Sequence, residues 1–195
     1  MQAAFDATGH MAGVAAEDTV SYGPYMLLAD ARLNLFSIFD DLKYDRSDID
    51  MMSPAMRSHA IDRLGRLGFK QTSGRVLESK ADDIRCLIPK FHALGSSPFD
   101  ITRYTPKRER DYYLLTPTQT ACQFIDGYPL DQAVEKIEGL LQSQPINLYK
   151  LFDYLDATPT HRDFTRALGH LIALQKEAVA SKKLRGRRAL GSLGA

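Results

Sequence analysis

A chain of 195 residues, 44% hydrophobic and 25% charged, has room for one domain with a sizeable core. Its net charge of +1 draws the whole molecule neither to nucleic acid nor to a membrane, so any such affinity must come from a local patch. The apolar runs are short, as in Tyr25–Ala29, and the first basic residue is Arg32, which argues against a bilayer span and a secretory leader and points to a cytoplasmic protein.

Residues 1–20 are rich in Ala, Gly and Thr without apolar periodicity and read as a mobile arm. From Tyr25 to Leu42 the apolar positions Leu28, Ala31, Leu35, Ile38 and Phe39 predict an amphipathic helix. Asp48-Ile49-Asp50-Met51-Met52 alternates and predicts a short strand, with a helical turn as the competing reading. Ser53-Pro54 supplies an N-cap and a first-turn proline, and the apolar spacing from Met56 to Leu67 predicts a helix ending at Gly68. Strands are expected at Phe69–Thr72, Arg75–Glu78, Ile84–Ile88, Phe99–Tyr104 and Tyr112–Leu115. Four helical segments follow, at 118–126, 130–142, 147–156 and 160–179, punctuated by Gly127, Pro145 and Pro159. The tail holding Lys182, Lys183, Arg185, Arg187 and Arg188 reads as basic and frayed. The order predicts an α+β fold with a small mixed sheet. Residues 21–116 form an α/β core, 117–179 a helical subdomain packed on it, and 180–195 a flexible tail.

Asp48 and Asp50 carry the most pointed chemistry. On a strand, residues two apart share a face, so the two carboxylates would stand together and repel unless a cation lay between them. Phosphoryl-transfer sites hold Mg²⁺ in this way. A third carboxylate is available in Asp82 or Asp83, just before the apolar strand Ile84–Ile88. The plain alternative is that Asp48 and Asp50 merely precede and cap the next helix. Cys86 and Cys122 lie in apolar segments without a Cys-x-x-Cys or His/Cys cluster, so both are expected as buried, reduced thiols. The five histidines show no metal spacing, and no nucleophile elbow, P-loop or dinucleotide-binding glycine motif occurs.

Taken in order, these residues resemble the polymerase-β-like nucleotidyltransferase superfamily, in particular small bacterial proteins related to type IV abortive-infection toxin–antitoxin components. The similarity runs through Asp48-Ile49-Asp50, Arg63 to Phe69, Gly74-Arg75-Val76 and Asp83 to Pro89. It continues in Asp100 to Pro106, Leu115-Thr116-Pro117 and Pro145 to Leu151. The resemblance implies transfer of a nucleotidyl group from an NTP to RNA or a protein hydroxyl, with Asp48, Asp50 and Asp83 as catalytic residues and ligands of Mg²⁺. The glycine pair expected before the acidic motif is missing: Leu28-Ala29-Asp30-Ala31-Arg32 stands in its place. A catalytically silent member is therefore an open alternative, since glycine lets a backbone approach phosphate closely.

A second reading makes the same region a winged-helix DNA-binding regulator or antitoxin. Arg57 and Arg63 on the helix starting at Pro54 would meet the groove and Gln71–Leu77 would form the wing, with Asp45, Asp48, Asp50 and Asp62 working against it. Arg108 and Arg110, in a mixed-sign run, read either as a solvated hairpin or as a basic rim for nucleic acid. A third reading is a non-enzymatic interaction subunit, meeting a partner protein or a second copy through apolar helical stripes such as Ala133, Ile137, Leu140 and Leu141.

Overall fold

The structure is a computed structural model, and it describes residues 20–21, 26–38, 54–74, 76–88, 108–157 and 159–181. Its first element corrects the sequence reading. The helix expected from Tyr25 is instead a hairpin of β2 (Met26–Asp30) and β3 (Leu35–Ile38), with β1 (Val20–Ser21) paired to β2. Met26, Leu27 and Leu28 are all buried, so both faces of β2 are apolar. A short run of that kind has no period to separate strand from helix. The reversal falls at Ala31–Asn34, where Asn34 takes φ 55°, a left-handed conformation that asparagine tolerates. Val20, assigned above to the mobile arm, therefore belongs to the sheet.

The helix α1 (Pro54–Arg66) is where the spacing placed it. Ala60 and Leu64 are buried, with Ile61 and Leu67 packed half-buried beside them. Gly68 ends it at φ 91°. Phe69 N–H donates to the Leu64 carbonyl at 3.1 Å and Gly68 N–H to that of Gly65 at 3.1 Å, a Schellman cap that satisfies the last turn. A meander follows of β4 (Lys70–Ser73), β5 (Val76–Ser79) and β6 (Ile84–Leu87), each within two residues of the expected strands. β7 (Asp111–Leu115) then enters the middle of the sheet, parallel to both β3 and β6. The seven described strands run in the order β1-β2-β3-β7-β6-β5-β4, a mixed sheet in an α+β fold. The strand expected at Phe99–Tyr104 and the acidic motif at 48–52 lie outside the described residues.

Side-chain alternation gives the sheet two buried faces. Leu35, Tyr113 and Leu87 stand in one cross-strand row and meet the helical layer. Phe36, Leu114, Cys86 and Leu77 face the other way, in the core that includes Ala60 and Leu64 of α1. The helical layer comprises α2 (Pro117–Gly127), α3 (Leu130–Leu141), α4 (Leu148–Ala157), a 3₁₀ turn at Pro159–Phe164 and α5 (Thr165–Ala180). Thr116 caps α2 and exchanges bonds with Gln119 in a capping box, with Pro117 just inside the start. Every residue of α2 from Pro117 to Ile125 is buried, because it lies between the sheet and α3 and α4. Its polar side chains are satisfied there: the Thr118 hydroxyl accepts from Asn147 N–H at 3.0 Å, and Thr120 donates to the Thr116 carbonyl at 2.9 Å. Gln144 is paired with Ser37 on β3, and Gln175 bonds both the N–H and the carbonyl of Ile146. The apolar stripes of α3, α4 and α5 are spent in this core. Among the described residues, Leu130 and Tyr149 are the large apolar side chains left exposed.

Candidate nucleic-acid interface

Apart from the basic tail from Lys182 to Arg188, one stretch of the chain carries a local surplus of positive charge. Residues 54–80 hold Arg57, Arg63, Arg66, Lys70, Arg75 and Lys80 against Asp62 and Glu78, a surplus of four in a chain of net +1. In the fold this stretch is α1 and the β4–β5 hairpin, joined directly through the Gly68 cap. The Arg57 guanidinium donates to the Gly74 carbonyl at 3.1 Å, tying the start of the helix to the hairpin tip. Ser58, Asp62, Gly65 and Arg66 are exposed on the helix, and all four residues of β4 are exposed at the edge of the sheet. Arg66 meets Asp62 at 2.8 Å, but with both side chains more than half exposed that pair is worth little. Arg63 is half-buried and already engaged. The hairpin expected as a wing is thus real, but it is the margin of a seven-stranded sheet.

Beyond the hairpin the sheet carries a charge ladder. Lys70, Glu78, Arg85 and Asp111 are successive cross-strand partners on β4, β5, β6 and β7. The signs alternate, so each neighbour attracts the next. Arg85 grips Asp111 with two bonds, Nε to Oδ1 at 2.7 Å and Nη2 to Oδ2 at 2.6 Å, with 9% and 2% of the two side chains exposed. Its hydrogen bonds to Asp111 outweigh the cost of burial and raise the Arg85 pKa above its already high value. A charged residue inside the apolar run Ile84–Ile88 was the sequence signal for such a pair, since a buried arginine needs a carboxylate.

Arg108 and Arg110 lie just before β7. Arg108 pairs with Glu78 at 2.9 Å and reaches Asp83 at 3.8 Å while half exposed. Arg110 is committed to the Asp82 carbonyl at 2.7 Å, so it stabilises the β5–β6 turn. Of the two candidate third carboxylates, Asp82 is buried and accepts from the Ser79 hydroxyl at 2.5 Å. Asp83 follows at φ 51°, its side chain 82% exposed. Asp48 and Asp50 lie outside the described residues, and among the described residues no three His, Cys, Asp or Glu side chains form a metal-binding group.

Asp30, in the segment standing for the missing glycine pair, is also committed. Its buried carboxylate accepts from Leu33 N–H at 2.7 Å and the Tyr128 hydroxyl at 2.6 Å, and it pairs with Lys136 at 2.8 Å. Arg32 lies 3.9 Å from the centre of the Tyr128 ring and donates to the Gly127 carbonyl. This cluster pins the β2–β3 turn to the α2–α3 junction. Burial raises the Tyr128 pKa, as does its bond to Asp30. For Lys136, burial acts downward, but the bond and charge of Asp30 prevail and its pKa is raised. Cys86 and Cys122 are buried free thiols, and burial pushes the Cys86 thiol pKa far upward. No described helix is long and apolar enough to cross a membrane. Compared with known proteins, the chain matches no family model, no curated protein and no solved structure.

Proposed function

We propose that this protein binds nucleic acid through α1 and the β4–β5 hairpin, without a catalytic step in that contact. The observation that carries the reading is the exposure of Arg66, Lys70 and Lys80 on a unit whose sequence, residues 54–80, holds four more basic than acidic residues. Arg66 and Lys70 contact phosphates, with Arg108 at the neighbouring sheet end. Arg57 holds the helix and hairpin in register rather than reading bases. The test is fluorescence anisotropy with labelled single- and double-stranded oligonucleotides over a series of salt concentrations. Binding should weaken steeply as salt rises, and the slope should flatten by about one unit of log K per log salt for each phosphate contact removed, as in Arg66→Ala. Binding that ignores salt, or is unchanged in an Arg66→Ala/Arg108→Ala variant, refutes the reading.

A second reading rests on Asp83, which is exposed at the β5–β6 turn while Asp82 is held by Ser79. In a nucleotidyltransferase that would make Asp83 the carboxylate joining Asp48 and Asp50 around Mg²⁺. Labelled NTP, Mg²⁺ and a mixture of RNA and lysate protein test it. Label transferred by the wild type and lost in Asp48→Ala/Asp50→Ala supports it, and no transfer by folded wild-type protein sets it aside.

A further inference from the structure

Each cation assigned above to phosphate has a carboxylate of its own chain beside it. Residues 54–80 contain two acids, Asp62 and Glu78, against six basic residues. Asp62 pairs with Arg66 across one turn of α1 at 2.8 Å. Glu78 pairs with Arg108 at 2.9 Å and stands directly across from Lys70 in the sheet. The two acids thus fall on the three side chains given to phosphate. Arg57, which holds helix and hairpin in register, donates instead to a carbonyl.

These pairs do little for the fold. Arg66 and Asp62 have 62% and 56% of their side chains exposed, so water screens their attraction. The Arg108 side chain is half exposed, and its main chain is anchored separately by the N–H bond to Asp111 at 2.8 Å. Its guanidinium can therefore leave Glu78 while the backbone stays in place. Pairing does occupy the donors: a guanidinium bonded to a carboxylate must release it before taking a phosphate, and a carboxylate left alongside repels that phosphate. We infer that Asp62 and Glu78 are built-in competitors of nucleic acid. The strand binds by exchanging the Arg66–Asp62 and Arg108–Glu78 pairs for phosphate pairs, and the two carboxylates hold the affinity down. The inference rests on the nucleic-acid reading above and adds what limits that contact.

Anisotropy titrations of the full-length protein with labelled oligonucleotide, at one fixed salt concentration, compare the wild type with Asp62→Asn and Glu78→Gln. Asp131→Asn, on α3 across the sheet from α1, controls for the loss of one negative charge at a distance. Freeing a cation from an exposed pair should tighten binding about two- to fivefold in each acid variant. The control should stay close to the wild type, because salt screens a remote charge. In an Arg66→Gln background the gain from Asp62→Asn should vanish, and in an Arg108→Gln background most of the gain from Glu78→Gln should go, since each acid acts through its cation. Circular dichroism checks folding, and if Glu78→Gln unfolds, the exposed Asp62 pair decides alone. Unchanged or weaker binding by the acid variants, or gains that persist without the partner arginine, overturns the inference and leaves the interface standing. Binding seen only once an acid is neutralised supports both, and no binding by the wild type or any variant overturns both.

Discussion

Replacing Asp111 by Ala removes one half of the most enclosed ion pair among the described residues. The Arg85 side chain, 9% exposed, then loses both Asp111 oxygens, and Arg108 N–H loses its 2.8 Å bond to Asp111 Oδ2. Leaving one charge of a buried pair without its partner costs about 3–5 kcal/mol. For a domain of this length that corresponds to a melting temperature lower by roughly 6–20 °C. Replacing both partners, as in Arg85→Met/Asp111→Leu, removes the charges together and should cost far less than the two single losses combined, since apolar replacement of such pairs is often neutral. Urea unfolding followed by far-ultraviolet circular dichroism on the wild type, both single variants and the double variant closes the cycle. A single Asp111→Ala variant within about 1 kcal/mol of the wild type would refute the reasoning, because a pair that weak lies in the surface range. So would a double variant as unstable as the sum of the singles.

Two glycines should respond to alanine with opposite signs. Gly68→Ala meets no atom within 4 Å but must hold φ 91°, at a cost of about 1–2 kcal/mol, whereas Gly139→Ala in the last turn of α3 should gain up to about 0.5 kcal/mol; urea midpoints test both. In alkali, Tyr128 and Lys136 have folded pKa values raised above their ordinary 10.0 and 10.5, so their contribution is complete below those values and lost as pH rises through the folded ones. Urea midpoints should therefore fall from about pH 10 upward, and Tyr128→Phe should make the fall shallower; an identical profile in the variant counts against the Asp30 cluster. Cys86 and Cys122 should react with a thiol reagent only as fast as the protein opens, and rapid labelling of either in the native state would contradict their burial.

Local chemistry determined much of this protein without reference to the fold. The α1 boundaries follow from Pro54 and Gly68, the α2 start from Thr116-Pro117, and the β5 and β6 strands from their apolar positions and the turns that bound them. These signals act within a few residues, so they survive in the sequence whatever surrounds them. The basic surplus of residues 54–80 was equally legible as charge, though not as a surface. Only tertiary structure decided the β2–β3 hairpin, because Met26–Leu28 is apolar on every side and β7, the other partner of β3, lies far along the chain. The same holds for the partners in Arg85 with Asp111 and Asp30 with Lys136: no local pattern names them, and each charge is met by a residue that sheet or helix packing delivers. Long-range pairing carries no local pattern, and it is this pairing that separates charges spent on stability from charges left to meet a ligand.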